Sequence, residues 1–409
     1  MKKIIISSIV VAIFLLSLFM LEQSSQSTIQ KNLKMQEEIK EVHRKKQYYK
    51  NYHPQMITVK STALYKKENH QFKQISNVGE KMSLSLEPDD TILDYYQLKG
   101  TTYYIPAKDV TMEPDKKREN FLNYGSFGTV VLPKGTKLHY NNSFLELPEE
   151  MTVNVVVKLN HQYGVVFDEK LMFVENNNIP IKEESIKSAT EMAVLNYHFF
   201  YDPEKGESCK EPICITTNQF KEQLTYLKEN HYYAPTMQEF EWFLDGSVRL
   251  PKKSVLITID DGAFGVASHA IPMLEEFKLQ ATLFLITGWF DYRNYQSDYV
   301  ELHSHSNKMH TTKVCPGGQG GGIKCLPKDF IQNDLKTTRD LLNNTTSFAY
   351  PFYEYNDYAI QNLKEAGFRM AFRGGGIRAK VGSDKFLIPR YGIDKNTTIA
   401  TLKQMLGAV

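Results

Sequence analysis

The chain has 409 residues, room for one large domain, one or two small ones and an attachment segment. With a formal net charge of +2, 23% charged and 42% hydrophobic residues, it lacks both the basic excess of a nucleic-acid binder and the polarity of a disordered chain. Those classes are excluded, and a globular protein of unstated activity is left.

At the N-terminus, Lys2 and Lys3 precede an uncharged apolar run from Ile4 to Leu21 that closes at Glu22. Such a run is long enough to cross the hydrocarbon of a bilayer. It is either an uncleaved transmembrane anchor or a cleaved secretory signal, and its closing Phe19, Met20 and Leu21, in place of small residues, favour the anchor. The flanking lysines put the N-terminus inside and everything after residue 22 outside the cell. In that oxidising setting Cys209 with Cys214 and Cys315 with Cys325 are the natural local disulfides, since neither spacing suits a zinc knuckle. The second pair would staple a loop carrying Gly317, Gly318, Gly320, Gly321 and Gly322.

Residues 23–54 are polar and charged and read as a helical or loose stalk. From Met56 short alternating runs follow: Ile57, Val59 and Leu64, then Met82, Leu84 and Leu86, then Thr102 to Ile105. A second set covers Gly128 to Leu132, Lys137 to Tyr140, Met151 to Leu159 and Tyr163 to Phe167. Short strands with turns between them predict small all-β modules over 55–180. Their spacing and the phrase "TTYYIPAKDV" resemble two SH3-like wall-binding units, the alternative being a spacer without a ligand.

After Glu191 strands alternate with helices. Phe220, Leu224 and Leu227 mark one helical face; Thr236 and Glu239 form a capping box for a helix stopping near Gly246; Ile271, Leu274 and Phe277 face a third helix inward. Leu335 to Leu342 and Tyr358 to Ala366 predict two more helices, the last capped by Gly367. Val255 to Ile259 and Ala281 to Ile286 have the continuous apolar character of buried parallel strands. The pattern predicts an α/β parallel sheet or barrel over 190–409, with its chemistry at the strands' C-terminal ends.

Two such ends are rich in functional groups. Val255 to Ile259 runs into Asp260-Asp261-Gly262, where one carboxylate can bind metal while the other handles protons, or where both are simply solvated in a turn. The next unit ends in His303, His305 and His310. Five residues would place His305 and His310 about 140° apart on a helix, so they must converge from a loop. Two imidazoles and one carboxylate, with positions left for water, suit a catalytic divalent ion, and zinc, cobalt or nickel fits, zinc first. His303, His269, His231 and His161 are expected to have no ligand role.

The segments "VLITIDDGAFGVASHAIPMLEEFKLQATLFLITGWF", "SHSNKMH", "SFAYPFYEYN" and "LIPRYGID" together resemble the motifs of the polysaccharide deacetylases, carbohydrate esterase family 4 with a nodulation-type deacetylase domain. The resemblance spans about residues 190 to 400 and implies a distorted (β/α) barrel. It implies that Asp260 is the general base, that Asp261, His305 and His310 hold one metal, and that the Phe352 backbone N–H serves the oxyanion. The family's late catalytic His is absent, but "VLNYHFF" resembles the circularly permuted branch and makes His198 the general acid, with Arg390 orienting Asp260. Ala349 and Tyr353 stand where many members have Arg and Gly. The implied partner is a cell-wall or extracellular glycan, the implied activity removal of its N-acetyl groups; the competing expectation is an inactive wall-binding protein.

Overall fold

The protein is described here from a computed structural model covering residues 2–113, 123–177, 179–184 and 188–407. It divides into two compact units, one of Met1–Lys116 with Leu132–Met151, the other of Lys117–Val131 with Thr152–Val409.

The first unit begins with a helix, Lys2–Asn51. The side chains of most of the apolar segment 4–21 lie outside the described residues, and among the described residues no helix is long and apolar enough to cross a membrane. The expected stalk, 23–54, is helical as far as Asn51, and the end of that helix is anchored. Tyr48 stacks on Tyr96 with centroids 4.6 Å apart, and the Tyr96 hydroxyl donates to the Tyr48 carbonyl at 2.9 Å. The rest of this unit is antiparallel β: seven short strands from Gln55–Thr58 to Val110–Met112, joined by the hairpin of Lys137–Tyr140 and Ser143–Glu146 through Leu145 opposite Val78. Leu64, Val78, Met82, Leu84, Leu86 and Ile105 are buried between them.

In the second unit, the meander of Met151–Lys158, Gln162–Phe167 and Lys170–Glu175 packs with the α/β elements. Val157 bridges to Val248, and the Phe173 ring lies 6.2 Å from Trp242. Alternation alone cannot reveal such a partner, so spacing groups these strands with the earlier β-rich stretch.

The α/β part is a nearly all-parallel sheet. Its strands are β1 (Glu191–Tyr197), β2 (Val255–Asp261), β3 (Ala281–Leu285), β4 (Val300–Ser304), β5 (Ser347–Ala349) and β6 (Met370–Arg373), paired in that order, with Ala379–Lys380 antiparallel to β1. Residues 388–392 then close the barrel: β7 (Ile388–Pro389) pairs with β6, and β8 (Tyr391–Gly392) pairs with β1. Arg390 is the residue between them.

Helices α1 (Thr217–Glu229), α2 (Met237–Leu244), α3 (Ile271–Phe277), α4 (Lys328–Leu341), α5 (Asp357–Glu365) and α6 (Ile399–Leu406) surround the sheet. The capping boxes of α1 (Thr216, Gln219) and α2 (Thr236, Glu239) are both complete. Helix α4 starts earlier than expected, at Lys328 after Pro327, because its first turn is polar while Ile331 already faces the core. Strand β2 alternates faces. Ile257 and Ile259 pack with Phe220 and Leu224 of α1, whereas Leu256 packs inside the barrel with Val194 and Phe284. Continuing along that inner face, Thr258 and Asp260 make the upper interior polar.

Gly265, just past β2, has φ +79°, and a Cβ there would lie 2.0 Å from the Phe200 carbonyl oxygen. Replacing Gly265 by Ala is expected to cost about 2–4 kcal/mol, through the backbone clash and the left-handed conformation together. A urea midpoint within error of wild type would show that this close approach is not needed.

Candidate active site

Asp260 and Asp261 are adjacent on a strand, where successive side chains point to opposite faces. The backbone resolves this at Asp261 itself, one residue earlier than Gly262. Asp261 has φ +68°, and the Gly262 N–H donates back to the Asp260 carbonyl at 2.9 Å, an i to i+2 turn that bends the strand and lets both carboxylates serve one site. A non-glycine residue in this region carries strain, which persists where the surroundings enforce it.

Asp260 is buried and doubly held: Arg390 Nη1 donates to its Oδ1 and Nη2 to its Oδ2, both at 2.7 Å. Burial alone would raise this carboxyl, but Arg390, with the neighbouring histidines, outweighs burial and keeps it well below the usual carboxylate range. His198 follows β1 and places Nε2 3.8 Å from Asp260 Oδ2. Burial pushes its imidazole down, against the upward pull of Asp260 and Asp261, and its buried Nδ1 has no hydrogen-bond partner among the described residues.

Asp261, His305 and His310 bring one ligand atom each within 4.8 Å of one another. Both Nε2 atoms lie 3.3 Å from Asp261 Oδ1, a buried oxygen that has no other donor among the described residues. The His305 Nδ1 lies 2.8 Å from the Ala349 carbonyl, which can only accept, so Nδ1 carries the proton and Nε2 turns its lone pair toward Asp261. Two lone-pair donors facing each other in a buried place need a cation between them, a proton or a metal ion. The three residues therefore fit a divalent ion bound through one carboxylate and two imidazoles.

The two histidines converge from a loop, as the spacing requires. Ser306 turns it with φ +76°, and the buried Asp334 carboxylate accepts from the Asn307 N–H at 2.8 Å and the Lys308 N–H at 2.6 Å. His303 stands apart, its Nδ1 2.7 Å from the Thr345 hydroxyl; His269 pairs with Glu207 at 2.8 Å, and His161 and His231 are exposed. Phe352 and Tyr353 have φ +58° and +60°, two consecutive non-glycine residues in the left-handed region. The Phe352 ring lies 4.4 Å from that of His310, and its N–H has no acceptor among the described residues.

The comparisons bear on this constellation. Residues 247–371 match the family description "Polysaccharide deacetylase". That stretch, which carries β2 to β5 with Asp260, Asp261, His305 and His310, is thus the part of the chain that matches the polysaccharide deacetylase family. A poly-β-1,6-N-acetyl-D-glucosamine N-deacetylase of Staphylococcus aureus is 24% identical over 259 residues, covering 58% of this chain and 86% of the relative. The namesake from Staphylococcus epidermidis is 26% identical over 215 residues, covering 47% and 72%. Among solved structures, a de-N-acetylase from Aggregatibacter actinomycetemcomitans aligns with TM-score 0.47 at 22% identity, covering 53% of this chain and 99% of that one. IcaB from Ammonifex degensii aligns with TM-score 0.46 at 21% identity, covering 54% and 98%.

All seven residues singled out from sequence surround one point of this deacetylase domain, but three of their neighbours were not foreseen. Asn196, fully buried on β1, donates from Nδ2 to Asp260 Oδ2 at 3.1 Å and to the Tyr353 hydroxyl oxygen at 2.8 Å, and it accepts from Arg390 at 3.1 Å. Asp334 braces the histidine loop as described. Glu354 clamps the glycine-rich loop, accepting from the Gly321 N–H and the Lys324 ammonium, each at 2.8 Å, and from the Gln319 N–H. Both cysteine pairs form disulfides, Cys209 with Cys214 and Cys315 with Cys325, so this loop is held twice. A polar residue inside an apolar strand run, as in "VLNYHFF", was the available signal for Asn196.

Proposed function

We propose that this chain is an outward-facing, metal-dependent N-deacetylase of the circularly permuted branch. Held at the membrane by segment 4–21, it removes acetyl groups from N-acetylglucosamine-type residues of a cell-wall or extracellular polysaccharide. The observation that carries the reading is the pairing, in one site, of an Arg390-bound Asp260 carboxylate with an Asp261–His305–His310 ligand set. The staphylococcal relatives, named for a poly-N-acetylglucosamine, support the substrate class; an anchored chain with a stalk and β-rich units fits a wall glycan equally well.

In this reading Asp261, His305 and His310 would hold the ion, zinc by availability, and it would supply Lewis-acid polarisation of the acetamide carbonyl and acidify water. Asp260, kept ionised and aimed by Arg390 and Asn196, takes the proton from the attacking water at its carboxylate oxygen. The Phe352 N–H, without an acceptor among the described residues, donates to the developing oxyanion. His198 returns a proton to the departing amine nitrogen, and the burial that lowers its proton affinity makes its imidazolium a stronger acid.

The test is acetate release by the purified chain lacking residues 1–29, from wall glycan and N-acetylglucosamine oligomers, with and without Zn²⁺. Release should depend on metal, vanish in the Asp261→Ala/His305→Ala double variant and be matched by an equal quantity of free amine. Acetate without amine would make the enzyme an O-deacetylase. No release from a metal-loaded chain would favour a wall-binding protein.

A further inference from the structure

We propose that Tyr353 is a specificity-determining residue whose hydroxyl donates a hydrogen bond to a ring hydroxyl of the sugar that carries the acetamide. This inference rests on the deacetylase reading for its substrate class. Tyr353 occupies a position that a large side chain ordinarily avoids. Its φ is +60°, directly after Phe352 at +58°, a left-handed conformation that a residue with a Cβ disfavours. The surroundings nevertheless accommodate the ring: a Cβ on Gly374 would come within 3.1 Å of it, and one on Gly392 within 3.8 Å of its hydroxyl, so two glycines leave room.

The ring is placed at the reacting end of the site. The Arg390 guanidinium carbon lies 5.5 Å from its centroid, and His198 meets it edge-on at 6.5 Å. Its hydroxyl oxygen accepts from Asn196 Nδ2 at 2.8 Å, the same nitrogen that holds Asp260. That contact fixes the oxygen and leaves the phenolic proton without an acceptor among the described residues. With 36% of its surface exposed, the side chain also reaches solvent, where a glycan must enter. The facing carboxylates Asp260 and Asp261 can only accept hydrogen bonds. Tyr353 thus supplies what they lack, a neutral donor of set direction, and a sugar hydroxyl beside the acetamide is the matching acceptor. A site built to pair with a hydroxyl rejects molecules without it.

Tyr353→Phe removes the donor and keeps the ring; Tyr353→Gly removes both and relieves the backbone. Calorimetric binding of an N-acetylglucosamine tetramer to the metal-free full-length chain is the primary readout, since it requires no turnover. The Phe variant should bind about tenfold more weakly and the Gly variant at least as weakly, with KM on the tetramer rising by a similar factor and kcat changing less. Binding by Tyr353→Phe within twofold of wild type overturns the proposal. So does intact binding with a fallen kcat and a shifted pH profile, which would assign Tyr353 to positioning Asp260 through Asn196. A wild-type chain that binds the tetramer without releasing acetate would defeat the deacetylase reading and leave this inference standing.

Discussion

Asp260→Asn is expected to lower kcat by about 10³-fold while the bound metal stays at the wild-type level, within the range seen when a positioned general base is lost. The amide keeps the shape of the carboxylate and can still accept from Arg390, but it cannot take a proton from water. Metal content should not change, because Asp261, His305 and His310 face one another independently of the Asp260 side chain. Parallel assays of turnover and metal content decide the matter. Turnover near normal would remove Asp260 from the base role, and loss of metal would mean that the two adjacent carboxylates act as one unit.

Removing the other half of the pair should strike stability and pH dependence together. Arg390 is fully buried and donates to both oxygens of Asp260, so Arg390→Met leaves a buried carboxylate without its counter-charge. Breaking such a pair costs about 3–5 kcal/mol, to be read as a lower urea midpoint. The sign of the pH effect follows from the same pair. In the wild type the folded-state pKa of Asp260 lies below its unfolded value, so its stabilisation is present above the ordinary carboxylate pKa, about 3.9, and is lost as pH falls through the folded value. Without Arg390, burial acts with less opposition and the carboxyl rises. The acid limb of kcat/KM should then move to higher pH, with activity at pH 5 falling more than activity at pH 8. An acid limb that stays in place would show that Arg390 does not control the ionisation of Asp260.

Much of this site was legible in the sequence because its residues are tied to strong local signals. Val255 to Ile259 is apolar but for Thr258, so Asp260 and Asp261 had to sit at the end of a buried strand. His305 and His310 had to meet from a loop, since no helix brings that spacing together. What escaped notice depends on partners distant in the chain. Asn196 looks like an interruption of an apolar run until Asp260, Tyr353 and Arg390 are seen around it. The closing strands β7 and β8 have two residues each, too few for any period to register. The meander of 151–175 alternates as an independent β-module would, and contacts distant in the chain, the bridge from Val157 to Val248 and the Phe173–Trp242 ring pair, reveal the unit it folds with.

The closure at Arg390 also sets an order of events. The residue that neutralises Asp260 lies on the segment that joins the last barrel strand to the first, 130 residues after Asp260 in the chain. Until residue 390 has been synthesised and docked, the barrel is an open sheet and Asp260 is a buried acid without a counter-charge, which favours its protonated, non-basic form. Closure of the barrel and ionisation of Asp260 are therefore coupled through Arg390. A chain still emerging, or one cut before residue 388, would lack the two Arg390 donors that keep Asp260 ionised, whatever the arrangement of Asp261, His305 and His310.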